Sequence, residues 1–244
     1  MRSSSHPPRK RFGQHFLHEK RVLARIVEAI APAPNDVFVE IGPGEGALTQ
    51  HLLQTNLSVV EIDRDLAARL QQQFPGVKVH CADALEFDFA QFPAGMRIVG
   101  NLPYNVSTPL LFHLARFAPQ VRDMHFMLQL EVVERMVAKP STAAYGRLSV
   151  ALQARFRMQK LFNVAKGAFR PPPRVESAVV RLEPLDWQLP IDEDLLRRAF
   201  SARRKTLRNA LPEVDFAAAG IDPKLRPENL SPEDYARLSM NSIL

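Results

Sequence analysis

Residues Val37–Thr49, reading V-F-V-E-I-G-P-G-E-G-A-L-T, set an apolar strand, a glycine turn and a helix start in immediate succession. No other stretch limits the fold so tightly. A strand that runs through glycines into a helix belongs to the α/β class with a parallel sheet, where the glycines let backbone approach a nucleotide-like ligand. A helix is expected from this turn through Leu53. Gly42, Gly44 and Ala47 also satisfy the dinucleotide fingerprint, so a nicotinamide enzyme is one reading of the turn.

The same arrangement recurs downstream. Ser58–Asp63 reads as a strand that ends in Glu61 and Asp63, 19 and 21 residues beyond Gly42. A carboxylate there can accept both ribose hydroxyls of an adenosyl ligand. A helix over Leu66–Phe74 and a stop at Pro75-Gly76 lead to a third strand, Val77–Cys81. That strand delivers Asp83, which can accept from an adenine amino group. A fourth, ending in Ile98-Val99, delivers G-N-L-P-Y-N over Gly100–Asn105. Four successive strand ends therefore each carry an acid or an amide.

The fourth strand end carries chemistry of its own. Asn101 offers a carbonyl acceptor and an amide donor. Leu102 precedes Pro103, which biases it toward an extended conformation with its carbonyl outward. Tyr104 supplies a flat ring with a polar tip. Together the Asn101 side chain and the Leu102 carbonyl can take the two hydrogens of an exocyclic amine while Tyr104 stacks on its ring. The plainer reading is a strand-end turn with a core tyrosine.

The charge pattern bears on the partner. Net charge is +6, yet residues 1–11 and 197–208 together carry +10 with no acid, which leaves −4 elsewhere. A localised basic surface suits a polyanion. Its members near the C-terminus include Arg203, Arg204, Lys205 and Arg208, expected on or beside a helix and contacting phosphates. Cys81 is the only cysteine, so an intrachain disulfide and a cysteine-rich metal site are excluded. His15 and His18 lack acidic or cysteine company, and no metal is expected. No apolar run approaches the roughly 20 residues of a membrane span, and the N-terminus lacks a signal-peptide core. A cytoplasmic location is expected.

Along the chain, residues 1–11 read as a disordered basic tail. A helix follows, with Val22, Leu23, Ile26, Val27 and Ile30 at helical spacing and Pro32 beyond it. Met124–Leu130 reads as a strand and Glu131–Ala138 as a helix; Tyr145–Phe156 reads as a further helix. Phe169–Val175 is a stiff proline segment, and Ser177–Leu182 alternates like a strand. From Asp192 a helical stripe holds Leu196, Phe200, Leu207 and Leu211. Ser231-Pro232-Glu233-Asp234 starts the last helix with a capping serine and a proline at the first position. The expected division is residues 12–184 as a sheet domain and 185–244 as a small helical domain.

In order and spacing, Lys10–Leu17, Val39–Thr49, Val60–Leu66, Cys81–Leu85, Val99–Leu111, Met124–Val133, Tyr145–Val150, Phe169–Arg181 and Arg203–Asn209 resemble one family over nearly the whole chain. It is the family of ribosomal RNA adenine dimethyltransferases, and N-L-P-Y-N-V-S-T-P-L with R-R-K-T-L-R-N resembles its bacterial small-subunit branch. The resemblance implies a Rossmann-like S-adenosylmethionine-dependent methyltransferase domain with a small C-terminal α-helical domain. It implies that Gln14, His15, Leu17, Gly42, Glu61, Asp83, Ala84 and Asn101 line the cofactor site. Asn101, Leu102, Pro103 and Tyr104 would hold the target base, with Phe169 stacking from the other side. It further implies two transfers to each of two adjacent adenosines in the 3′-terminal hairpin of small-subunit ribosomal RNA, within the 30S subunit or its precursor, by a monomer. The family usually has asparagine at His15 and often lysine at Leu130. A large-subunit RNA or DNA adenine methyltransferase shares the catalytic stretch, and an assembly checkpoint without catalysis shares the RNA-binding features.

Overall fold

The computed structural model describes residues 14–241. The basic tail expected over residues 1–11, and the Lys10–Gly13 part of the first motif, lie outside them. The described residues form two compact units: one holds those up to Val133 together with Gln159–Glu183, the other Glu134–Met158 and those from Pro184 onward.

The first unit begins with β1 (Phe16–Leu17) and α1 (Lys20–Ile30), followed by β2 (Val37–Ile41), β3 (Asn56–Glu61), α2 (Arg64–Gln73) and β4 (Lys78–Cys81). Next come β5 (Met96–Asn101), α3 (Ser107–Ala115), β6 (Val121–Gln129) and α4 (Leu130–Met136), the last of which crosses into the second unit. The chain re-enters through β7 (Phe156–Val164) and continues with β8 (Phe169–Arg170) and β9 (Ser177–Pro184). Leu23, Ile26 and Ile30 of α1 are buried at the predicted helical spacing. Phe38–Ile41 are all buried, as a strand covered on both faces requires.

The seven-stranded sheet runs β4-β3-β2-β5-β6-β9-β7. Neighbours from β4 to β6 are parallel, and β9 returns antiparallel to β6. The chain steps outward from β2 to β3 and β4 on one side, then to β5 and β6 on the other. The reversal falls between β2 and β5, the place where open α/β sheets bind ligands. Gly100 permits that close pairing, because a Cβ there would lie 2.4 Å from the Ile41 carbonyl oxygen.

One sequence expectation is corrected here, and one strand was absent from the sequence reading. The helix predicted from the glycine turn through Leu53 is absent; only a 3₁₀ turn at Thr49–His51 forms. Gly42, Gly44 and Gly46 hold φ of +64°, +59° and +83°, which no right-handed helix accommodates. β7 also went unread, because Arg157, Gln159 and Lys160 are exposed and break the alternation that marks a strand.

The second unit contains α5 (Arg147–Gln153), α6 (Glu193–Ser201), α7 (Leu207–Ala210), α8 (Phe216–Ala219) and α9 (Pro232–Met240). The expected boundary at residue 184 is contiguous in sequence, but residues 134–158 group with the C-terminal helices. The reason is burial: Leu148–Leu152 are buried all round, so α5 needs α6 and α9 against it. Tyr145 tightens that packing by donating its hydroxyl to the Leu230 carbonyl at 2.8 Å. The predicted stripe from Leu196 to Leu211 is interrupted, since α6 ends at Ser201 and α7 begins at Leu207. Arg203, Arg204 and Lys205 therefore occupy a turn between helices. Ser231 caps α9 as its sequence implies, accepting from the Asp234 N–H at 3.2 Å.

Candidate active site

A cavity of about 350 Å³ opens at the carboxyl ends of the parallel strands. Gln14, His15, Leu17, Gly42, Glu61, Asp83, Ala84, Asn101, Leu102, Pro103 and Tyr104 all line it. Residues more than 80 apart in sequence thus meet because the sheet reverses between β2 and β5.

Glu61 closes the glycine turn onto β3. One of its oxygens accepts from the Gly44 N–H at 3.2 Å, the other from the Asp63 N–H at 2.9 Å. Burial pushes its carboxyl up, and the two backbone donors only partly offset that. Asp63, the second acid of that strand end, caps α2 by accepting from the Asp65 N–H at 3.0 Å. Of the two acids read from the sequence, Glu61 lines the cavity and Asp63 caps a helix. Asp83 accepts from the Leu85 N–H at 2.9 Å through Oδ1, which fixes the carboxylate at the cavity wall.

Asn101 is oriented by its own amide. Its Nδ2 donates to the His15 carbonyl oxygen at 2.9 Å. A carbonyl only accepts, so the amide nitrogen faces His15 and Oδ1 is the atom left to accept from a ligand. The His15 ring points elsewhere in its bonding: Nδ1 donates to the Pro171 carbonyl at 2.8 Å, and the ring lies 5.4 Å from that of Tyr104. His15 therefore serves this site through its backbone, which the usual asparagine at that position would do equally. Tyr104 is held at its polar tip. Its hydroxyl bonds Ser177 Oγ at 2.6 Å, and burial raises the phenol above its ordinary range.

Phe169 is placed differently from the expectation. Its backbone pairs with Leu17 as β8 against β1, and its side chain, 2% exposed, belongs to the hydrophobic core beside Leu17 and Val179. The ring is not among the residues that line the cavity in this conformation. Ile62 was missed by the sequence reading although it stands next to Glu61; it lines the cavity while 42% exposed, an apolar surface beside that acid. Its signal was available, since an apolar residue between two strand-end acids has no core to fill.

Glu40, the one acid inside β2, was given no role in the sequence reading. It lines the cavity floor, accepts the Thr49 hydroxyl at 2.7 Å, and burial pushes its carboxyl up to about 7. Among the described residues there is no cluster of three or more histidine, cysteine or acidic groups placed to hold a metal. No helix among them is long and apolar enough to cross a membrane.

A sequence profile of the ribosomal RNA adenine dimethylases matches residues 5–242. The chain belongs to that family. As a ribosomal RNA adenine dimethylase it is an S-adenosylmethionine-dependent methyltransferase, and the donor set fits that cofactor: acceptors at Glu61 and Asp83, a backbone cradle at Gly42–Gly46, and buried acids facing a cation. Among relatives, the ribosomal RNA small subunit methyltransferase A of Aromatoleum aromaticum is 55% identical over 97% of this chain and 94% of its own length. A dimethyladenosine transferase from Plasmodium falciparum superposes with a TM-score of 0.79 at 26% identity, covering 92% of this chain and 96% of the other. The 23S rRNA methyltransferase ErmE gives a TM-score of 0.69 at 26% identity, covering 93% and 99%.

In the second unit of this dimethylase, the basic cluster is partly neutralised by acids distant in sequence. Arg197 and Arg198 pair with Asp194, and Arg198 also with Glu213. Arg203 pairs with Glu228 at 2.6 Å and donates to the Ala143 carbonyl. Arg204, Lys205 and Arg208 are exposed and carry no ion pair among the described residues. The Arg208 N–H donates to the Pro223 carbonyl and the Leu207 N–H to the Leu225 carbonyl, which brings exposed Lys224 and Arg226 alongside.

Proposed function

We propose that this enzyme dimethylates N6 of two adjacent adenosines in the 3′-terminal hairpin of small-subunit ribosomal RNA, acting as a cytoplasmic monomer on the 30S subunit or its precursor. The observation that carries the reading is the oriented Asn101 carboxamide beside Tyr104 at the mouth of the cavity. When bound, S-adenosylmethionine supplies an electrophilic methyl group on a sulfonium.

The residues would do the rest. A target adenine leaves its stack at a cost of a few kcal/mol. Stacking on Tyr104 returns roughly 1–3 kcal/mol, and the Ser177 bond keeps the ring ready at no further entropic cost. Asn101 Oδ1 and the Leu102 carbonyl accept the two amine hydrogens, which turns the nitrogen lone pair toward the methyl group. Pro103 holds Leu102 extended for that purpose. Rate then comes from proximity and orientation. The adenine of the cofactor would meet Asp83, Ala84 and Ile62, its ribose Glu61, and the remaining end Gly42, Gln14, His15 and Leu17. Phe169 would reach the base only after the β1–β8 pair shifts. Arg204, Lys205 and Arg208, extended by Lys224 and Arg226 and by Arg203 if Glu228 releases it, would contact RNA phosphates without reading bases.

The reading is tested by labelled methyl transfer to undermethylated small subunits, large subunits and DNA, followed by nucleoside analysis. Dimethyladenosine from small-subunit RNA alone supports it. Label on large-subunit RNA or DNA, or none anywhere, contradicts it.

A further inference from the structure

His125, in the middle of β6, is 3% exposed; its Nε2 has no hydrogen-bond partner among the described residues, and its Nδ1 has only the Asp123 carboxylate, at 3.5 Å. A buried polar group without a partner is costly, so its presence calls for a reason. The ring lines the same cavity as Asn101. Register explains how. Glu40 pairs across Val99 with His125, one pleat below the Asn101–Met127 pair, so both side chains rise from one row of the same sheet face.

The tautomer follows from what lies behind the ring. Asp123 Oδ1 stands 3.5 Å from Nδ1, and both Asp123 oxygens already accept from Arg97 Nε at 3.0 and 3.1 Å. A carboxylate beside Nδ1 favours the hydrogen on that nitrogen, which leaves the Nε2 lone pair as an acceptor. Sheet order says what it would accept from. Asp83 follows β4, Glu61 ends β3, Asn101 ends β5, and His125 lies on β6. A ligand with its adenine at the first, ribose at the second and sulfonium at the third has its amino-acid end beside Gly42 and the Gln14–Leu17 segment, and any further side-chain contact to that end has to come from the cavity floor. On that face the row one pleat below Asn101 offers two polar side chains, Glu40 on β2, between Glu61 and Asn101 in sheet order, and His125 on β6, beyond Asn101.

We propose that His125 is a positioning residue for the amino-acid end of S-adenosylmethionine, its Nε2 accepting from the α-ammonium opposite Glu40. This rests on the cavity being the cofactor site. The test is calorimetry of native protein, His125→Gln and His125→Phe, each with S-adenosylmethionine and with 5′-methylthioadenosine, which lacks the amino-acid end. His125→Phe should bind S-adenosylmethionine about tenfold more weakly, the size of one lost charge-assisted hydrogen bond. His125→Gln should recover part of that loss through its own acceptor. Affinity for 5′-methylthioadenosine should not change in either variant. Equal losses for both ligands, or none for either, overturn the proposal. Side-chain nitrogen NMR of the native protein gives a readout that does not depend on the variants folding. The His125 Nε2 resonance should move with S-adenosylmethionine and stay with 5′-methylthioadenosine. A resonance unmoved at saturating S-adenosylmethionine overturns the proposal while the cofactor reading stands; failure of native protein to bind S-adenosylmethionine removes both.

Discussion

Glu40 is fully enclosed between Thr49 and the sheet, and its carboxyl sits up at about 7 because burial disfavours the charge and Glu61 adds repulsion, against a hydroxyl that pulls the other way. In the free protein this group contributes stability that is complete below its unfolded value near 4.5 and is lost as pH rises toward 7. A bound cation reverses the preference. Cofactor binding is therefore expected to release close to one proton at pH 6 and about half a proton at pH 7, and affinity to rise with pH through about 7. Calorimetry in buffers of different ionisation enthalpy checks this; Glu40→Gln should abolish the proton release. At the same scale, Gly42, Glu61, Asp83 and Asn101 were legible from sequence because each ends an apolar run. Glu40 and His125 were not, since an acid or imidazole inside a buried strand has no local signature and its place in the cavity follows only from register with β5.

Arg97 on β5 joins three elements. It reaches Asp123 on β6, Asp36 ahead of β2 at 2.7 Å, and the Ile30 carbonyl at the end of α1 at 2.6 Å. Burial pushes the Asp36 carboxyl up, but the Ala33 N–H and the Arg97 guanidinium together hold it below its usual range. Asp123 is likewise held low, burial being outweighed by His125 and Arg97. Both depressed acids contribute stability that is present above their unfolded values near 3.8 and disappears as pH falls below them. Arg97→Ala should cost about 3–5 kcal/mol, because it leaves buried Asp123 facing only His125 and Asp36 paired only with the exposed Arg122. Urea denaturation at neutral pH measures it, and a loss under 1 kcal/mol would contradict the account. Elements with a clean period, such as α1, β2 and α9, were readable in sequence. The helix after the glycine turn was not, because its failure depends on three positive φ values. The break between α6 and α7 escaped for a similar reason: the apolar stripe continues in sequence across a turn that Leu207 and Arg208 brace against Pro223 and Leu225.

At the scale of the whole molecule, the net charge of +6 predicts a polyanionic partner but overstates how many cations face it. The run from Arg197 to Arg208 looks uniformly free in sequence, whereas Asp194, Glu213 and Glu228 neutralise Arg197, Arg198 and Arg203 in the fold. Arg204, Lys205 and Arg208 remain. Replacing those three with alanine should reduce the slope of log affinity against log salt by about 2–3 units, at slightly under one per phosphate contact, and leave cofactor affinity unchanged. Subunit binding at several salt concentrations checks it, with equal slopes as the contrary result. The proposed mechanism turns on Asn101, whose amide nitrogen is held by the His15 carbonyl so that Oδ1 is left to accept from a ligand. The most direct measurement is single-turnover methyl transfer from labelled S-adenosylmethionine to undermethylated small subunits, comparing native protein with Asn101→Ala of matching circular dichroism. The account predicts a loss on the order of 10²-fold or more, the scale at which misplaced reactants lose rate. A variant that transfers methyl groups at close to the native rate would contradict it.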